Sequence, residues 1–394
     1  MPKIFKETFV DALRIFLALV ILLFFAATGY QITTGKSPYR LVSNLSNREN
    51  NSETQRCSTQ PPLNLDGAPN AQLEKLSVYQ KACGSFAAGT MMTFVGIPAS
   101  DADAATEAKQ TAATLRAFAA YHVRPLVVAE PTDYVSGTGI DMGQFASGAY
   151  SGNLAALFAD LKALHITDRQ MGVWNPFPEA NLPYWSNNQP QDFAPSVNLY
   201  VDTLHQYFPS AQTSIMLSAA SYQPTDTTLK NAAYASLMPY LKGIAPGSIN
   251  YFGLEGFPWL APRGQSDKLL DAGVFLKPSL ASEAAKYLGT SHIWLNTGTF
   301  SAQYTQDATK IVRLSTAQRA AILTDIDTQA RVLQKQGFSV AVSMFAEDKS
   351  NTTEAVDWSY WNSNNPSGSA GSAVFTGFVH TLHQQQIDFW LFDQ

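Results

Sequence analysis

Basic residues are sparse and unclustered in this sequence. After the first fourteen positions no run of Lys or Arg occurs, and the formal net charge is -5. A nucleic-acid surface therefore has no electrostatic footing. Gly-rich phosphate loops are missing as well, since none follows any strand-like segment. The six His residues are scattered without the spacing of metal ligands, and no Ser-His-Asp order stands out. Neither a metal nor an organic cofactor is implied. Cysteine is limited to Cys57 and Cys83.

What is present is apolar and aromatic. With 394 residues, 45% hydrophobic and only 14% charged, the chain can bury a large core, as one large domain or two ordinary ones. The aromatic share of 12%, including 7 Trp and 16 Tyr, suits a carbohydrate binder, although such rings also fill cores.

The N-terminus reads as an export segment. Lys3, Lys6 and Arg14 precede an apolar stretch from Ile15 to Thr28, and no charge returns until Lys36. The basic end stays in the cytoplasm, which predicts an extracytoplasmic protein tied to the membrane through residues 1–34. The alternative is a cleaved signal peptide and a secreted product. Residues 35–70, rich in Ser, Asn, Gln and Pro, cannot offset their own ordering entropy and read as a polar stalk. In an exported chain an even cysteine pair reads as a Cys57 to Cys83 disulfide, the alternative being two buried thiols.

From residue 71 to 394 strand-like and helix-like segments alternate. The strand candidates are Thr90 to Ile97, Arg124 to Ala129, Met171 to Trp174, Thr213 to Ala219, Ile249 to Leu254, His292 to Leu295, Phe338 to Phe345 and Ile387 to Phe392. Helical patterns lie between them, among them Asp103 to Tyr121, Asn153 to Leu164, Ser196 to Tyr207, Leu280 to Leu288 and Thr316 to Gln336. Eight strands with intervening helices predict a (β/α)8 TIM barrel, with an open doubly wound sheet as the alternative.

Acidic residues gather at the carboxyl ends of these strands. Glu130 ends the second, Glu179 follows the third, Glu255 ends the fifth, and Glu347 follows the seventh. In a barrel those ends share the catalytic face. The stretch from Trp174 to Trp185 sets Glu179 among aromatic rings, prolines and carboxamides. Rings stack on sugar faces, amides bond hydroxyls, and a shielded carboxyl suits a general acid. Paired carboxylates flanking a bond are what glycoside hydrolysis needs.

These residues also carry a resemblance. Val128-Ala-Glu-Pro131 resembles a strand-end Trp-Glu-Pro motif, and Trp174-Asn-Pro-Phe-Pro-Glu179-Ala-Asn181 is similar to Trp-Arg-Pro-Leu-His-Glu-Met-Asn. The segment from Phe145 to Tyr150, with the helix after it, resembles a Gly-x-Tyr-Asp segment. Ile249 to Trp259 is similar to Val-Asp-Trp-Val-Gly-Ile-Asp-Gly-Tyr-Asn-Trp, and Phe345-Ala-Glu-Asp-Lys349 with Trp358 resembles a final strand and its turn. All belong to glycoside hydrolase family 26, the β-mannanase family of TIM-barrel enzymes. The resemblance spans most of the region after the stalk. It implies that Glu179 is the acid/base residue on the fourth strand and that Ile387 to Phe392 supplies the first, closing the ring from the C-terminus.

The departures are as informative. Leu295-Asn296-Thr297-Gly298 sets Asn296 where the resemblance implies the nucleophilic Glu, and Asn175 and Pro178 stand where it implies Arg and His. A carboxamide cannot form a glycosyl ester.

Two functions follow. One is a hydrolase of a β-linked polysaccharide, with Glu179 as general acid and Glu347 or Glu255 as base. The other is a membrane-tethered pseudoenzyme that binds oligosaccharide or polysaccharide without turnover. Glu130, Asn181, Trp185, Trp259, Asn296 and Trp358 are the substrate-binding candidates, and Trp174 and Trp294 are expected in the core.

Overall fold

The computed structural model describes residues 90–120, 123–182, 189–219, 237–258, 276–304, 311–345, 348–349, 356–357 and 370–392. The expected anchor, stalk and Cys57 to Cys83 bridge lie outside them, as do Trp185, Trp259, Glu347 and Trp358.

Strand and helix alternate from the first described residue. The leading half contains β1 (Thr90–Gly96), α1 (Asp101–Ala120), β2 (Arg124–Glu130), α2 (Met142–Ala146), α3 (Ser151–Ala163), α4 (Asp168–Met171), β3 (Val173–Pro176), α5 (Pro190–Tyr207) and β4 (Gln212–Ser218). Then come α6 (Leu237–Leu241), β5 (Tyr251–Glu255), α7 (Pro278–Leu288), β6 (His292–Thr297), β7 (Ala302–Tyr304), β8 (Ile311–Arg313) and α8 (Thr316–Lys335). The chain finishes with β9 (Ser339–Phe345), β10 (Asp348–Lys349), β11 (Val356–Asp357), α9 (Ala370–Gln384) and β12 (Asp388–Phe392).

Eight of these strands form one closed ring in the order β1, β12, β9, β6, β5, β4, β3, β2. Every pairing in the ring is parallel. This is the expected (β/α)8 barrel. The C-terminal strand closes it: β12 pairs with β1 at Thr90↔Trp390 and Met91↔Leu391, and with β9 from Asp388↔Ala341 to Phe392↔Phe345.

Two packing shells explain the strand sequences. A parallel strand covered on both faces reads as a nearly continuous apolar run, as Arg124–Glu130 and Ser339–Phe345 do. Outward residues such as Val127, Ile215 and Leu295 pack against helix residues such as Phe118, Phe158 and Leu333. Inward residues fill the barrel, chiefly Met92, Leu126, Val128, Met216, Trp294 and Trp390. Trp294 and Trp390 lie 5.3 Å apart at their ring centroids, and small residues on neighbouring strands make room for them. A Cβ on Gly253 would stand 2.8 Å from Cε3 of Trp294. At the other end Arg124 lies over the rings of Tyr251 and Trp390, 5.7 and 5.4 Å from their centroids, and plugs the barrel floor with a cation held by π-faces.

Three details differ from the sequence reading. The third strand runs Val173–Pro176, later than expected, because Met171 ends a helix and Gly172 turns with φ 65°. A Cβ on Gly172 would sit 2.1 Å from the carbonyl oxygen of Pro125, so only glycine fits. The sixth strand continues to Thr297, which places Asn296 within it. Finally, β7, β8, β10 and β11 form a small antiparallel sheet, order β10, β11, β7, β8, that was not anticipated. Strands of two or three residues carry no readable alternation.

Candidate functional site

The stretch after β3 is built to present one side chain. From Met171 to Leu182 every residue is buried except Glu179, which is partly exposed. Phe177 turns away from the barrel interior, between Phe145 and Tyr200 on the surrounding helices, with ring centroids 5.0 and 6.1 Å away. The Phe177 N–H donates to the Ala129 carbonyl on β2, and the Glu179 N–H donates to the Met216 carbonyl on β4, both at 2.9 Å. The Asn181 carboxamide bridges the backbone of Ser218, donating to its carbonyl and accepting from its N–H, each at 2.8 Å.

This pinning forces an uncommon backbone. Phe177 has φ 52° and Glu179 has φ 53°, the left-handed region that non-glycine residues enter at a cost of about 1–2 kcal/mol each. Such conformations persist only where surrounding bonds over-determine them, and they concentrate at functional sites.

A second group of polar residues occupies the barrel mouth on the next strands. Ladder register sets Ser218 beside Glu255, Glu255 beside Asn296, and Asn296 beside Ser343. A directed chain of hydrogen bonds links them. Trp294 Nε1 donates to Ser343 Oγ at 2.5 Å, Ser343 Oγ to Asn296 Oδ1 at 2.8 Å, and Asn296 Nδ2 to Glu255 Oε2 at 2.8 Å. Every donor points toward the carboxylate, and bonds aligned in this way reinforce one another. Both Asn296 (0% exposed) and Glu255 (2%) are buried. Asn296→Asp would set a second carboxylate against Glu255. It is expected to cost about 3 kcal/mol or more at pH 7, part of which returns on acidification; urea unfolding at two pH values checks this.

Glu130 stands at the end of β2, beside Gly96 of β1, and its Oε2 accepts a hydrogen bond from the Tyr134 hydroxyl. The loop behind it is anchored by Asp133, which accepts from the N–H groups of Ala99, Val135 and Ser136. Burial pulls the Asp133 carboxyl upward, but these backbone donors outweigh it and hold the pKa below the ordinary 3.8. A depressed folded pKa stabilises fully above the unfolded value and is lost as pH falls through the folded one. Acid unfolding of Asp133→Asn should therefore lack part of the wild-type loss below about pH 4, and the variant should be less stable than wild type at pH 7.

The structure thus brings Glu179, Asn181 and Asn175 together on β3 and its loop, and Glu255, Asn296 and Ser343 on β5, β6 and β9. Asn181, read as a sugar-binding amide, is 5% exposed and bonded to the backbone. Trp174 and Trp294 are both core residues. Sequence reading missed Ser343 and the inward role of Trp294. The alternation Ser339, Ala341, Ser343 on β9 would have shown an inward face of small residues. Among the described residues no three His, Cys, Asp or Glu side chains cluster as a metal site requires.

A closed parallel barrel with acidic side chains at the carboxyl ends of its strands defines the class, a TIM barrel of the kind that carries its active site on that rim. Solved structures with a similar fold are known. The chain is similar to the family 1 β-glucosidase of Thermotoga maritima, at 9% identity over 81% of this chain and 87% of that one, with a TM-score of 0.52. The β-glucosidase from the same organism in complex with noeuromycin matches at 9% identity over the same shares, with a TM-score of 0.50. A study of two fungal β-1,4-galactanases contributes another match, at 11% identity over 73% of this chain and 87% of that one, with a TM-score of 0.49. The likeness extends to the fold alone, a closed eight-stranded parallel TIM barrel. No protein-family model matches the chain, and no curated protein matches it.

Proposed function

We propose that this protein is an exported glycoside hydrolase of the family 26 type that acts on a β-linked polysaccharide, with Glu179 as general acid. The observation that carries the reading is the loop after β3. A backbone strained at two residues and bonded to strands on both sides leaves Glu179 as the one partly exposed residue, with Oε1 of its carboxyl group buried, and buries the rest. Positive φ also occurs at His165, Lys277 and Gln386 beside helix ends, but two such residues in one loop, bonded to a strand on either side, suit a general acid that must be held in place.

Asn296 at the position of the expected nucleophile removes the double-displacement route. Glu255 is the base of this reading, held by Asn296, with Glu347 as the other candidate. Glu179 is attached beyond β3 and Glu255 at the end of β5, so one strand stands between them. Two strand spacings of about 4.8 Å put their backbones nearer to the ~6.5–9.5 Å between carboxyls of an inverting pair, which admits water, than to the ~5–5.5 Å of a retaining pair. The apolar segment and stalk would hold the barrel outside the cytoplasm, within reach of such a polymer.

A second reading rests on a specific observation: Asn296 is fully buried and both ends of its carboxamide are engaged, by Glu255 and Ser343. A mouth locked in this way also suits a glycan-binding pseudoenzyme. Reducing-end release and glycan affinity, measured on one panel of β-linked polysaccharides, separate the two. Release that disappears in Glu179→Gln supports the hydrolase. Binding without release, unaffected by that substitution, supports the pseudoenzyme.

A further inference from the structure

Two polar side chains inside the barrel are left over by its own bonding. Asn175 is 0% exposed, and alternation with inward Val173 and outward Trp174 turns it into the barrel. Neither its Oδ1 nor its Nδ2 finds a hydrogen-bond partner among the described residues. Ser214 is also 0% exposed and shares the inward face of β4 with Met216, and its Oγ is likewise without a partner. The two lie on adjacent strands, one step beyond the Trp174↔Thr213 pair.

The backbone around them is parted. β3 and β4 pair at only two positions, Val173↔Gln212 and Trp174↔Thr213, whereas β5 and β6 pair at five. The reason is local. Pro176 has no N–H to donate, the Phe177 amide goes to Ala129 on β2, and bonding to β4 resumes only where the Glu179 amide reaches Met216. A split between two strands is thus lined by an amide N–H2, an amide carbonyl and a hydroxyl.

We infer that this split is an internal water site, with Asn175 and Ser214 as its side-chain ligands. The three atoms offer a donor, an acceptor and a group that is both, which is what a water molecule pairs with. Nearby inward residues Val128, Met216 and Tyr251 bring no formal charge, and the Arg124 guanidinium, which donates to the Tyr251 hydroxyl at 3.4 Å, is positive, so a cation is not matched. Complete burial shuts out a sugar. Bound water would complete the bonding of the split and so hold β3, from which the Glu179 loop departs. This inference goes beyond the hydrolase reading and does not depend on it.

A high-resolution crystal structure of the full chain tests it. The expected result is solvent density within hydrogen-bond distance of both the Asn175 carboxamide and Ser214 Oγ. Direct bonding of the two side chains to each other or to other protein groups, with no density between them, would overturn the inference. Water relaxation dispersion gives a second measurement. The Asn175→Leu/Ser214→Ala double variant should hold at least one long-lived internal water fewer than wild type, and an unchanged number would contradict the site. If that variant does not fold, the wild-type density decides alone.

Discussion

Replacing Glu179 is expected to separate stability from activity. Glu179→Gln keeps the size and polarity of the side chain but cannot deliver a proton in the pH range of hydrolysis. A general acid contributes about 10²- to 10⁴-fold, so polysaccharide hydrolysis should fall by that factor in kcat. The backbone argument adds a second expectation. At φ 53° any side chain with a Cβ is strained, and glycine is not. Glu179→Ala and Glu179→Gly both remove the carboxyl group, so their difference isolates the backbone, and the glycine variant should be more stable by about 1 kcal/mol. Urea unfolding of the two proteins measures this. Equal stability would mean that the loop relaxes without cost, and the case for a held acid would lose its support.

Removing the C-terminal strand should have the largest effect on folding. Residues 387–394 contain all of β12, which pairs with β1 on one side and β9 on the other. Deleting them opens the ring, exposes two strand edges and removes Trp390, whose ring packs against Trp294 and Tyr251 in the barrel interior. The loss of one buried Trp is worth about 3–5 kcal/mol before any ladder bond is counted, a large share of the roughly 5–15 kcal/mol that holds a domain together. The truncated chain is therefore expected to show no cooperative melting transition. A soluble truncation that melts as wild type does would mean that the ring is held without β12.

The barrel was legible because parallel strands declare themselves. Each of the eight was marked by a short apolar run, and the C-terminal run found its place through the strand numbering that the resemblance implies. What escaped were features with no local signal. The start of β3 depends on Gly172 passing under Pro125, a contact between residues 47 positions apart in the chain.

The site was legible in its residue types more than in their roles. Glu179 stood out by its company of rings and amides, yet neither Phe nor Glu codes for a left-handed backbone. That conformation comes from bonds to β2 and β4, which only the assembled barrel provides. Asn181 shows the same limit from the other side. A carboxamide suited to sugar hydroxyls is equally suited to a backbone N–H and carbonyl, and here Ser218 takes both. Glu255 and Asn296 are separated by 41 positions, and their bond follows from strand register alone.

The central claim is that Glu179 acts as the acid in a hydrolysis with no covalent intermediate, and the stereochemistry of the product tests it most directly. Proton NMR of the first sugars released from a β-linked polysaccharide should show the α-anomer, appearing before mutarotation brings in the β form. Initial release of the β-anomer would contradict the account, because retention requires the nucleophile that Asn296 cannot be.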